Sequence, residues 1–135
     1  MNEVTHIKVE SDDTKFLLPE PNESSLPNRF GIITAFSDPN GSKKQALSNW
    51  QADRALFSAL IEAGHIPFRV VAINDNGAKA SPAFGFGAPD TKAVQEIAKR
   101  FSQSVFYWVN NGKLQLKDTR SLAFEDLGAF HERVI

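Results

Sequence analysis

Phe30-Gly-Ile-Ile-Thr-Ala-Phe36 is an almost unbroken apolar run, closed by Ser37-Asp-Pro-Asn-Gly41. Such a run between turn residues predicts a strand buried on both faces. Ile66 to Ile73 and Val105-Phe-Tyr-Trp-Val109 predict two more. A helical pattern over 43–63 separates the first two, opened by Ser42 with Gln45 three residues on and closed by Gly64. A second helix over 90–101 follows Pro89-Asp90-Thr91, and Val94, Ile97, Ala98 and Phe101 form its apolar stripe. Asn110-Asn-Gly112 is a hairpin signal. The alternating Lys113-Leu-Gln-Leu-Lys117 after it predicts an edge or near-edge strand guarded by lysines. Near the start, His6-Ile-Lys-Val-Glu10 alternates, Ser11-Asp-Asp13 turns, and Lys15-Phe-Leu-Leu18 returns. Asn74 to Ala88 holds Gly77, Gly85, Gly87 and a proline and reads as a long loop, whereas Ser121 to Ile135 reads as a last short helix.

This order predicts an α/β fold, with α+β as the alternative. A mixed sheet of four to six strands has a βαβαββ core and two main packing helices. Residues 1–28 form an acidic hairpin or extension and residues 29–135 one domain. Strand–helix–strand units pair in parallel, so strands 30–36 and 66–73 are expected to send their loops to one end of the sheet, together with both helix N-termini. Open α/β sheets bind ligands there. Thr34, Ser37, Asp38 and Asn40 belong to the first loop region, and Phe84 and Gly85 to the second. These glycines serve either as turn formers or as amide donors to an anion.

The first helix carries an anomaly. At 100° per residue, Ala46, Trp50, Leu56, Phe57, Leu60 and Ile61 share an apolar face, and Asn49 and Asp53 fall inside it. A buried carboxylate needs a partner, for which Thr34, Asn49 and Arg69 are the candidates. The pair is either a structural network tying helix to sheet or the polar floor of a pocket.

Composition removes several classes of function. The 135 residues contain no cysteine, so disulfides, thiolate metal sites and cysteine nucleophiles are excluded. His6, His65 and His131 have no metal-motif spacing, and neither a metal nor a cofactor is expected. No apolar run approaches the roughly 18 residues of a membrane span, and no secretory leader pattern opens the chain. This predicts a cytoplasmic protein without membrane contact. Fifteen Lys and Arg balance sixteen Asp and Glu, but unevenly: residues 1–28 carry two bases and six acids, residues 42–120 eleven bases and six acids. The bases are scattered, with no basic stripe interleaved with aromatics, which argues against nucleic acid.

Ile33-Thr-Ala-Phe36, Pro39, Asn49 and Phe101-Ser-Gln103 before a hydrophobic strand together resemble a bacterial family of small proteins with no assigned function, domain of unknown function 3293. The likeness covers residues 30–110. Ser37-Asp38-Pro39 stands where the family has Asn-Pro, and an acidic residue expected shortly before Phe84 is missing. The resemblance implies no activity or cofactor, but it directs attention to Thr34, Asn49 and Gln103. The sequence thus predicts a binding module for a small polar or anionic molecule at the strand C-terminal ends. A protein-interaction or regulatory domain is one alternative, with a homodimer left open. The other is a hydrolase or transferase with Asp38 or Asp53 as general base.

Overall fold

The computed structural model describes residues 14–19, 26–36, 43–74 and 79–135. The expected strand at His6–Glu10 and its turn, together with Ser37, Asp38 and Asn40, lie outside these residues. The described elements are β1 (Lys15–Leu17), β2 (Arg29–Thr34), α1 (Lys43–Glu62), β3 (Pro67–Asn74), β4 (Lys79–Gly87), α2 (Thr91–Arg100), β5 (Val105–Asn110), β6 (Lys113–Asp118) and β7 (Phe124–Ala129), followed by a 3-10 turn (Phe130–Arg133). The strands make one seven-stranded sheet in the order β1-β3-β4-β2-β5-β6-β7. Every neighbouring pair is antiparallel.

The fold is therefore mixed α and β, but its sheet is larger than expected and antiparallel. β2 and β3 do run in the same direction, yet β4 lies between them and pairs with both. The expected parallel pair is not formed. The stretch predicted as the loop 74–88 supplies this central strand. Its glycines answer to packing: a Cβ on Gly85 would lie 2.4 Å from the ring of Phe68 on β3. In the same way a Cβ on Gly31 would meet the Val94 side chain at 2.5 Å, so the bare backbone of β2 lets α2 sit close.

The core order is β2-α1-β3-β4-α2-β5 rather than βαβαββ. Each helix crosses over a gap that one other strand fills. The resulting spatial order β3-β4-β2-β5 is the double split β-α-β, or ferredoxin-like, arrangement. α1 leaves the end of β2 and α2 the end of β4. Since these strands run oppositely, the two helix N-termini lie at opposite ends of the sheet. The two-helix anion pocket expected from the sequence does not exist.

Both helices end as the sequence predicts. Gly64 takes φ +87°, and the N–H of His65 donates to the Leu60 carbonyl at 2.9 Å. α2 starts from Asp90, whose side chain accepts from the Lys92 N–H at 3.0 Å. Its Val94, Ile97 and Ala98 are buried. The β5–β6 hairpin turns on Asn111 and Gly112, both at positive φ.

Beyond β5 one expectation holds and one fails. Lys113–Asp118 is a near-edge strand, with β7 paired along its outer side. The segment 121–135 is that strand plus a 3-10 turn, not a helix. The sheet then curls until its ends meet: Phe16 of β1 bridges Val134, and the Ile135 N–H donates to the Phe16 carbonyl at 2.9 Å. One core lies under the helices, around Ile33, Leu56, Leu60, Phe84, Phe86 and Trp108. The second fills the inside of the curl, around Phe16, Phe30, Ile32, Val70, Val109 and Phe130. No helix among the described residues is long and apolar enough to cross a membrane.

Candidate functional site

Asp53 lies on the face of α1 turned to the sheet, buried with Asn49, Leu56 and Leu60. Its carboxylate meets Arg69, which rises from β3 on the helix side. Nη1 donates to Oδ1 at 2.9 Å and Nη2 to Oδ2 at 2.8 Å. The Asp53 side chain is 4% exposed and that of Arg69 30%. A buried carboxylate is tolerable in such a two-pronged pair, where both oxygens accept charged N–H groups. Arg69 also donates from Nη1 to the Ala83 carbonyl at 3.3 Å. Its guanidinium plane sits over Phe84, its cross-strand neighbour on β4, 4.0 Å from the ring centre. Phe57 of α1 packs on the same ring at 5.5 Å.

These groups line a cleft of about 340 Å³ between α1 and β3–β4, completed by Arg54 and Ser58. Its walls are aromatic and its floor is an ion pair. Two guanidinium groups against one carboxylate leave it one positive charge in excess.

The structure brings Asp53 and Phe84 together here and places Asn49 one helical turn away, where it too has a polar or ring partner. Thr34 is tied into the sheet: its hydroxyl donates to the Pro82 carbonyl at 2.8 Å and accepts from the Phe36 N–H at 3.1 Å. Gly85 lies on the other sheet face, under Phe68. Gln103 sits between α2 and β5, and its amide donates to the Phe101 carbonyl at 3.2 Å. It borders a separate polar pocket of about 530 Å³ with Lys99, Ser104 and Arg120. The strand registers put Gln103 and Thr34 at the same end of β2 and β5, and Thr34 lies one residue along from the row Ile33–Phe84–Arg69, in register with Ala83 and Val70 of the other core. Among the described residues no group of three or more His, Asp or Glu could hold a metal ion.

Arg69 enters the sequence reading only as one partner for Asp53, and Phe57 enters as a core residue. An arginine in the otherwise apolar Phe68-Arg-Val-Val71 is the strand counterpart of Asp53 in an apolar helix face. Taken together, the two misplaced charges point to each other. Arg54 and Ser58 had no such signal, since polar residues on an exposed helix side are ordinary.

No family model matches the chain, and no solved structure matches it. Among curated proteins it is similar to the Pol polyprotein of Radiation murine leukemia virus (strain Kaplan), with 31% identity over 107 residues. The match takes in 78% of this chain but 18% of the polyprotein, so the chain spans less than a fifth of that relative's length.

Proposed function

We propose that this chain is a binding module for a small polar or anionic ligand, held in the cleft between α1 and β3–β4. One observation carries the reading. Asp53 and Ala83 occupy only part of the Arg69 guanidinium, in a cleft with excess positive charge and aromatic walls. A few placed polar groups in an apolar recess are what small-molecule sites are made of. A cytoplasmic location goes with this reading. So does membership of domain of unknown function 3293, whose Asn49 stands one turn from the cleft. Thermal shift against a panel of metabolites and nucleotides tests it. At least one compound should raise the melting temperature, and the rise should vanish in Arg69→Ala. A panel with no stabilising compound counts against the module.

A second reading, a protein-interaction or regulatory domain, is favoured by the outer side of α1. Leu47, Trp50, Phe57 and Ile61 are all exposed there. The hydrolase or transferase reading draws less support. Asp53 is committed to Arg69 through both oxygens, and a general base needs a free one within reach of substrate.

A further inference from the structure

We infer that the ligand of this cleft is an amphipathic monocarboxylic acid, its carboxylate on the outer edge of Arg69 and its apolar body against Phe57. This rests on the small-ligand reading above and names the class within it.

A guanidinium group offers five N–H donors in one plane, arranged along three edges. Asp53 fills the end edge, one oxygen to each terminal nitrogen. The Ala83 carbonyl takes the remaining Nη1 hydrogen, on the side nearer Cδ. The edge left over carries the Nε hydrogen and the second Nη2 hydrogen, side by side and parallel. No acceptor among the described residues meets it. Two parallel donors match the two oxygens of a planar carboxylate. The edge is fixed, because Asp53 and the Phe84 ring already hold the guanidinium in place. A carboxylate docking there meets a pre-arranged fork and loses little freedom of the receptor.

Charge sets the number of negative groups. Arg69 and Arg54 against Asp53 leave one positive charge. A monocarboxylate brings the cleft to neutrality, whereas a dianion such as phosphate would leave it negative beside the buried Asp53. The apolar body follows from Phe57. Its ring rests on Phe84 by one side and is 45% exposed. Covering it removes apolar surface from water, which favours an apolar body there. The cleft volume of about 340 Å³ suits a compact acid, at the low end of the range for ligand pockets.

The test titrates the full chain with benzoate, benzamide, acetate and inorganic phosphate, following the Arg69 side-chain Nε–H by NMR. Benzoate should move that proton downfield and bind at least tenfold more tightly than benzamide or phosphate. Phe57→Ala, on the half-exposed side of the helix, should weaken benzoate at least threefold and leave acetate unchanged. Arg69→Lys keeps the charge and loses the fork, so it should weaken benzoate tenfold or more. If Arg69→Lys does not fold, the wild-type Nε–H signal still decides. Benzamide binding as well as benzoate, or a silent Nε–H while another compound binds the cleft, overturns the carboxylate class and leaves the binding module standing. Silence towards all four probes and the wider panel overturns both.

Discussion

Arg69 and Asp53 hold each other in a place neither would occupy alone. Replacing Asp53 by Ala strands the guanidinium against the Phe84 ring, and we expect a loss of roughly 2–4 kcal/mol in urea denaturation, because breaking a largely buried pair leaves an uncompensated charge. Thr119 makes the opposite prediction. Its hydroxyl oxygen is sealed from solvent with no partner among the described residues, so Thr119→Val should raise stability by about 1 kcal/mol by the same measurement. Gly85→Ala should cost about 1–3 kcal/mol, since the Phe68 ring stands where the new methyl would go and packs in turn on Phe30. The burial of Asn49 and Asp53 was legible in the sequence, because polar residues in phase with Leu56 and Leu60 stand out. The exposure of Trp50, Phe57 and Ile61 was not. They border the buried arc on one side, and a helix wheel cannot say where the sheet beneath it stops.

At the scale of elements, the sequence separates strands from helices wherever one period dominates, as in β2, β3, β5 and α2. It misleads at β4 and β7. β4 carries glycines and Pro82 because neighbouring rings and backbone come close, and local signals cannot tell a close approach from a turn. In β7 the spacing of Phe124, Leu127 and Phe130 imitates a helix, although the segment lies along β6 with a register shift at Lys113/Gln115. That position changes Lys117. An edge lysine would sit in water, but here burial lowers its ammonium pKa below the usual 10.5, with Asp126 pulling the other way. Between the lowered value and 10.5 the folded chain binds fewer protons than the unfolded one. Stability should therefore climb with pH through that window relative to Lys117→Met, as urea denaturation at stepped alkaline pH would show. The outer side of α1 makes its own prediction. If copies associate through it, Trp50→Glu should return the chain to monomer in light scattering, whereas Lys113→Glu on β6 should not.

For the whole molecule, order departed from expectation as well as content: besides the loop and helix that turned out to be β4 and β7, β4 takes an unexpected place in the sheet. Seven segments were recognisable, but local pattern does not reveal that β4 inserts between β2 and β3, because that choice is made by contacts far apart in sequence. The same limit moved the site. An anion pocket at two helix N-termini required both helices to leave one end of the sheet, and the antiparallel β4 sends α2 from the other. Contacts across the curl span the most sequence among the described residues: besides the Phe16–Val134 bridge, Arg133 donates to the Thr14 carbonyl at 3.3 Å across 119 residues. Such contacts return nothing until nearly all the intervening chain is ordered, since closing so large a loop is costly beforehand. A nascent chain leaving the ribosome can assemble everything from β2 to β5 before β6, β7 and the 3-10 turn follow. The inner core around Phe16 and Phe130 is then left open to water until those segments arrive. Joining β1 to the segment after β7 comes last, and until then the unfinished seam is surface open to other copies.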